Sequence, residues 1–242
     1  MPGLRTRFSP VRYKSVYSHL TVPGFSAPNG SLYLPICSSP KYRFKRREKI
    51  RDTRRTYQKV IAMKKNLVIY YSNSGSNKYL ANRIAGSLAC DITEIRPRLN
   101  AFPLLLLFSS LKRSFGIKAL KPNPGEYERI ILCGPVWMGK LISPLRDFLF
   151  KYRKSIDSLY FASCCASSDI AKDEKYGHGL VFNMVREIMG QKCIHCEAFP
   201  VGLVVPEDKK EDGNTIMKTR LSDDNFNGEI LLRFEKFIQL LA

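Results

Sequence analysis

Short apolar runs alternate with segments of helical periodicity over most of residues 63–242, and this alternation constrains the fold more than any other feature. The run Leu67-Val68-Ile69-Tyr70-Tyr71 is apolar without interruption, as expected of a strand buried on both faces. Further strands are predicted at residues 92–95, 129–134, 158–162 and 193–205, the last interrupted at Pro200. Strands that alternate with helices predict an α/β fold, in which a doubly wound, five-stranded parallel sheet carries helices on both faces.

The helical segments are recognised by their apolar spacing and their end signals. One helix follows the first strand, and residues 101–120 are expected to form an irregular helical crossover. Another begins at Ser143-Pro144 and runs through residue 151, because proline is well placed at a helix start. A helix over residues 180–188 is expected to stop at Gly190, and the last is expected to begin near residues 222–224.

Residues 1–62 differ from the rest of the chain in charge. They hold 14 Lys and Arg and two acids, a net charge of +12, whereas residues 63–242 net +7. Nine of the bases lie within residues 41–55, and no helical or strand period is evident, so we predict a basic, disordered extension. It could be a targeting sequence, a basic arm for nucleic acid or an anionic surface, or upstream sequence without a folded role. Met63 is a candidate natural start.

Hydropathy and cysteine content indicate the cellular compartment in which the protein is expected. The longest lipid-like run, residues 101–108, has eight residues and contains Pro103, far short of the roughly 18 that a membrane helix needs. A secretory signal is not apparent, and the seven cysteines are spread through predicted strands and loops. We therefore expect a cytoplasmic protein with mostly free thiols, without excluding organelle targeting by residues 1–62.

The loop after the first strand carries the strongest chemical signal. It reads Ser72-Asn73-Ser74-Gly75-Ser76-Asn77 and passes straight into a predicted helix. Hydroxyls, amides and the free backbone N–H groups of a helix N-terminus make an anion site, and Gly75 permits a tight turn. The loop lacks both the nucleoside-triphosphate and the dinucleotide glycine patterns, so a terminal phosphate monoester is the natural ligand. The alternative is an ordinary polar turn.

Two motifs together resemble the flavodoxin family. The spacing Ser72-x-Ser74-Gly75-x-Asn77 after a buried strand is similar to the family's phosphate loop, although Asn77 stands where the family usually has Thr. Gly134-Pro135-Val136-Trp137-x-Gly139 resembles the loop that lines the flavin ring. The two loops follow strands one and three, the strands between which a flavodoxin-like sheet places its ligand.

The resemblance implies a flavodoxin-like sheet of order 2-1-3-4-5 over residues 63–242, with non-covalently bound FMN. Three groups of cofactor-binding residues follow from it. The phosphate would be held by Ser72, Asn73, Ser74, Gly75, Ser76 and Asn77. The ring would be bracketed by Pro135, Val136, Trp137, Met138, Gly139 and Lys140, with Trp137 stacked on it. The pyrimidine edge would be bordered by the loop after strand four, through Ser163, Cys164 and Cys165. Tyr176 is a candidate for the outer ring face.

Other candidate sites in the sequence are weaker. Cys193 and Cys196 form a lone C-x-x-C without the second pair that a structural zinc needs, and residues three apart on a strand should point to opposite faces. We therefore predict no metal site. His19, His178 and His195 are scattered and suggest no catalytic triad, so no acid, base or nucleophile is assigned.

Three functions remain open at this stage. The chain could be an oxidoreductase that uses NAD(P)H and a small acceptor such as a quinone, a flavodoxin-type carrier between electron-transfer proteins, or a flavodoxin-like domain that has lost FMN and only binds partners. The net positive charge of residues 63–242, with Lys140 beside the proposed ring loop, favours the enzyme, because a positive field attracts an anionic donor. A membrane span is not expected, and nucleic acid is expected only through the basic extension.

Overall fold

The computed structural model describes residues 64–111, 113, 115–210 and 212–241. The predicted extension over residues 1–62 and the start at Met63 lie outside the described residues. Within them, the central sheet contains β1 (Lys64–Tyr70), β2 (Asp91–Glu94), β3 (Tyr127–Cys133), β6 (Ser158–Cys165) and β7 (Cys193–Pro200). Two short strands, β4 (Val136–Trp137) and β5 (Lys140–Leu141), pair with each other as an antiparallel hairpin.

The five long strands are parallel and lie in the order β2-β1-β3-β6-β7. Counted within this sheet alone, the order is 2-1-3-4-5, so the predicted α/β fold and strand order are confirmed. The apolar run in the second half of β1 behaves as predicted: Leu67, Val68 and Ile69 are fully buried, with alternate side chains in cores on opposite faces of the sheet.

Six α-helices cover the sheet in the described part of the chain. They are α1 (Ser76–Leu88), α2 (Phe102–Ser110), α3 (Ser143–Tyr152), α4 (His178–Met189), α5 (Gly213–Lys218) and α6 (Gly228–Leu241). Helices α1 and α6 pack on one face through Leu80, Ile84, Phe234 and Phe237. Helices α3 and α4 pack on the other face through Leu145, Phe148, Val181 and Val185. Among the described residues, no helix combines the length and apolar composition needed to cross a bilayer.

Four sequence-based predictions of local structure are wrong. The last strand, expected over residues 193–205, ends at Pro200, and Val201–Val204 form a 3-10 turn. Strand β6 continues through Ser163, Cys164 and Cys165, which had been placed in a loop, because β7 offers pairing partners as far as Pro200. The final helix begins at Gly228 rather than near residues 222–224.

The fourth correction concerns Cys193 and Cys196, which do not point to opposite faces. A register irregularity opposite Leu159 and Tyr160 pairs these residues with Cys193 and His195, so Ile194 is an extra residue on β7. The bulge shifts the alternation by one residue, and the two Sγ atoms lie 3.5 Å apart.

Candidate functional site

The site lies at the carboxyl edge of the sheet, where β1 and β3 are neighbours. The chain leaves β1 toward α1 on one face of the sheet, and after β3 it continues to α3 on the other face. A crevice opens where strand connections diverge in this way, and parallel α/β sheets bind ligands there. The two loops that the sequence singled out, residues 72–77 and 134–140, therefore meet at one edge of the sheet.

The first loop is held by its own hydrogen bonds. The backbone N–H of Gly75 donates to Ser72 Oγ over 3.0 Å, and Tyr79 N donates to Gly75 O over 2.9 Å as the first bond of α1. Gly75 has φ +101°, a conformation that a residue with a Cβ rarely adopts. This turn presents the first-turn N–H groups of α1, which have no acceptor within the helix, to the crevice.

Two buried side chains anchor the start of α1 to distant parts of the chain. Asn77 Nδ2 donates to Cys164 O over 3.1 Å, and Cys164 N donates to Asn77 Oδ1 over 2.9 Å. Leu221 N donates to Ser76 Oγ over 3.2 Å. The Asn77 amide is thus committed to the end of β6, and what Asn77 offers a ligand is its backbone N–H.

A cavity of about 280 Å³ opens at the N-terminus of α1. Loop residues Asn73 and Ser74 line it, and Thr219 and Arg220 approach from the segment after α5. The Arg220 guanidinium donates to the carbonyls of Met217 and Thr219 over 2.7 and 2.8 Å, which holds the charge beside the cavity. Arg220 is the one charged side chain among the described residues that line this cavity. An anion in the cavity would therefore be attracted by both the guanidinium and the N-terminus of α1.

The second loop is a tight hairpin between β4 and β5. Its two turn residues, Met138 and Gly139, have φ values of 52° and 66°, which fit the two-residue turn that matches strand twist. Glycine is required at position 139 for two reasons: its φ is positive, and a Cβ there would lie 2.5 Å from Lys175 O. Met138 holds a left-handed conformation without being glycine, and its side chain is exposed.

A larger cavity of about 620 Å³ adjoins the first. Both are lined by Phe102, Val136, Trp137, Ala166 and Met217, so the two form one continuous site. The Trp137 ring packs edge to face with Phe102, at a centroid distance of 4.7 Å, and lies 6.2 Å from Tyr71. Met138 and Tyr176, each about half exposed, lie at the rim of the larger cavity. Glu174 is the one charged side chain among the described residues that line this cavity.

A polar cluster that sequence reasoning missed borders the larger cavity. Ser167, which lines the cavity, places its Oγ 2.9 Å from Nδ1 of the buried His178. The other ring nitrogen of His178 lies 3.8 Å from Asp169, which Arg233 binds over 2.6 Å. Burial lowers the pKa of His178, and the Arg233 hydrogen bond lowers the pKa of Asp169, so the imidazole is neutral beside a carboxylate at neutral pH. Burial also raises the pKa of Cys165 to about 12, so its thiol stays protonated.

The structure brings ten of the fifteen predicted binding residues to the lining of the two cavities. These ten are Asn73, Ser74, Ser76, Asn77, Pro135, Val136, Trp137, Met138, Cys164 and Cys165. Ser72, Gly75 and Gly139 shape the loops behind the lining. Ser163 is fully buried in β6, and Lys140 donates to Ser110 Oγ over 2.8 Å. Phe102, Thr219 and Arg220 were not predicted, because no local pattern shows that their segments return to this edge.

The strand order and the position of the site decide the fold family. A parallel sheet of order 2-1-3-4-5 with its crevice at the junction of strands one and three defines one doubly wound topology. The chain has a flavodoxin-like fold. Among its described residues, no group of three or more His, Cys, Asp or Glu side chains is arranged to hold a metal ion.

Solved structures similar to this flavodoxin-like chain include flavoproteins and flavodoxins. A flavoprotein from Lactobacillus acidophilus NCFM, in complex with FMN, is 18% identical, with a TM-score of 0.46 over 56% of this chain and 93% of that one. Oxidised flavodoxin 2 from Bacillus cereus is 16% identical, with a TM-score of 0.37 over 74% of this chain and 98% of that one. A Streptococcus pneumonia TIGR4 flavodoxin is 15% identical, with a TM-score of 0.40 and the same two coverages. Neither a family model nor a curated protein matches the sequence.

Proposed function

We propose that residues 63–242 bind FMN non-covalently and that the chain transfers electrons as an oxidoreductase. The observation that carries this proposal is the pair of joined cavities at the β1–β3 junction. The smaller cavity is the more polar of the two, with helix N–H donors and Arg220, and the larger one is mainly apolar, with Trp137 at the boundary. A phosphate joined to a flat aromatic ring system is complementary to this pair.

The residues present fit FMN, which supplies the redox chemistry when bound. The first turn of α1 and Arg220 would hold the phosphate, and the exposed side chains of Asn73 and Ser74 would add polar contacts. Trp137, Phe102 and Met138 would exclude water from the ring. Ser167, positioned by His178, would offer a hydroxyl at the ring cavity.

We also propose an electron donor and an electron acceptor. An apolar cavity open at its rim would admit a flat acceptor such as a quinone, with NAD(P)H as the electron donor. The structure does not strengthen the positive field that the sequence suggested at the ring, because Lys140 lines neither cavity and Glu174 lines the larger one. A carrier between proteins is the second candidate, favoured by the exposed Met138 and Tyr176 that a docking protein would cover. The cytoplasmic location stays a prediction.

The test begins with the absorption spectrum of the purified full chain. Flavin bands, and FMN released on denaturation, are the expected result, and a colourless protein that takes up no added FMN would contradict the proposal. Stopped-flow mixing with NADPH and a quinone at two salt concentrations then separates the two candidates. Direct bleaching by NADPH supports the oxidoreductase, whereas reduction only through a separate reductase supports the carrier.

A further inference from the structure

Helix α2 presents an apolar stripe to solvent. Leu104, Leu107 and Leu111 follow one another at spacings of three and four residues, and they are 38%, 51% and 56% exposed. Phe115, 45% exposed, continues the apolar surface past the end of the helix. The opposite side of α2 is the packed one, where Leu105 is buried and Ser109 Oγ accepts from Ser143 N over 2.8 Å. We call Leu104, Leu107, Leu111 and Phe115 the apolar stripe.

Basic residues flank the apolar stripe in the sequence. Residues 95–124 contain six bases, at positions 96, 98, 112, 113, 118 and 121, and no acid. Backbone hydrogen bonds from Arg98 N to Gly116 O and from Lys118 N to Arg96 O place Arg98 and Lys118 beside Phe115. Arg98, Arg113 and Lys118 are exposed, and Arg96 pairs with Glu94. The surface therefore combines exposed leucine and phenylalanine with one sign of charge.

We propose that the apolar stripe and its basic rim seat the protein on an anionic lipid surface. A helix that lies in the plane of a membrane interface buries its apolar side among the acyl chains and sets its basic residues against anionic headgroups. The charge argues against the two other occupants that the chain could supply. Residues 1–62 carry a net charge of +12, the same sign as the rim, and a second copy would place like rims against each other.

The helix that carries the stripe also forms part of the site. Phe102 and Leu106 line the larger cavity, and at about 100° of rotation per residue they lie on the side of α2 away from Leu104, Leu107 and Leu111. Docking through the stripe would leave that side of the helix uncovered. Docking also requires no flavin, so it does not rest on the proposed function.

The test is co-sedimentation of the full chain with vesicles of phosphatidylcholine and phosphatidylglycerol at 7:3, with pure phosphatidylcholine vesicles alongside. The variant Leu107→Glu/Leu111→Glu should lower the partition coefficient about tenfold or more, because apolar insertion is replaced by charge that the lipid repels. The control Leu232→Glu/Leu240→Glu alters two leucines of α6 with similar exposure, 59% and 54%, and should stay within twofold of the wild type.

Residues 1–62 are present in every variant, so their electrostatic binding cancels in the comparison. Phe115→Glu provides a second, single substitution outside the helix, and it should lower binding about threefold to tenfold. Equal binding by the wild type and both stripe variants would overturn the proposal, as would equal loss in the control or the absence of binding to either vesicle. Flavin content is read from the same fractions, so a protein without FMN that still binds vesicles contradicts the proposed function alone.

Discussion

The two cavities of the site are built in different ways. The smaller one depends on a six-residue loop whose side chains are bonded within the protein, through Ser72 to Gly75, Ser76 to Leu221 and Asn77 to Cys164. The larger one is formed mainly by apolar side chains from five separate segments, around residues 102, 137, 166, 176 and 217. The comparison indicates that hydrogen bonds fix the loop of the polar cavity, whereas the apolar cavity depends on packing between elements that are distant in the sequence.

The largest expected effect tests the hydrogen bonds that anchor the loop of the polar cavity. Asn77→Ala removes two buried hydrogen bonds and leaves the N–H and the C=O of Cys164 unpaired, which should cost about 2–4 kcal/mol of unfolding free energy. The control Asn183→Ala, at an exposed position on α4, should cost less than about 0.5 kcal/mol. Urea unfolding measures both. Similar losses in the two variants would mean that Asn77 does not anchor the loop.

A substitution in the apolar cavity should act on binding more than on folding. Trp137 is only partly buried, and a ring stacked on a flat heterocycle contributes about 1–3 kcal/mol, so Trp137→Ala should weaken FMN binding by roughly 10- to 100-fold. Trp137→Phe should recover most of the affinity. Fluorescence titration of FMN provides the dissociation constants, and an unchanged affinity in Trp137→Ala would remove Trp137 from the ring site.

Gly75 and Gly86 allow the effect of backbone conformation to be distinguished from the effect of steric crowding. A Cβ would meet nothing within 4 Å at either Gly75 or Gly86, but only Gly75 has a positive φ. Gly75→Ala should therefore destabilise the protein by about 1–2 kcal/mol, whereas Gly86→Ala, inside α1, should stabilise it by about 0.5–1 kcal/mol. Thermal unfolding compares the two directly. Stabilisation by both would show that the turn at Gly75 tolerates an ordinary conformation.

The His178 cluster beside the apolar cavity should make stability depend on pH. The pKa of His178 is lowered in the folded state, so the unfolded chain binds a proton that the folded chain resists. This contribution to stability is fully present above the unfolded pKa of about 6.5 and is lost as the pH falls from there toward the lower folded pKa. His178→Gln should flatten the dependence on the acid side of about pH 6.5. An unaltered pH profile of urea midpoints in this variant would assign the effect to other groups.

The sequence predicted most of what is local. Continuous apolar runs located the β1 and β3 strands, and the polar residues before α1 located the anion loop, because each signal lies within one segment. The bulge at Ile194, the two-residue turn at Met138 and the return of Arg220 to the edge of the sheet were not predicted. Each depends on pairing or packing between segments far apart in the chain, which periodicity and composition do not encode.

The measurement that tests the account most directly is the affinity of the full chain for FMN and for riboflavin, which differ only by the phosphate. If the polar cavity holds the phosphate and the apolar cavity holds the ring, FMN should bind about 100-fold more tightly than riboflavin, because charge-assisted hydrogen bonds contribute about 1.5–3 kcal/mol. Arg220→Ala should weaken FMN binding about tenfold and leave riboflavin unchanged, whereas Trp137→Ala should weaken both. Equal affinities for the two ligands, or binding of neither, would contradict the two-cavity account.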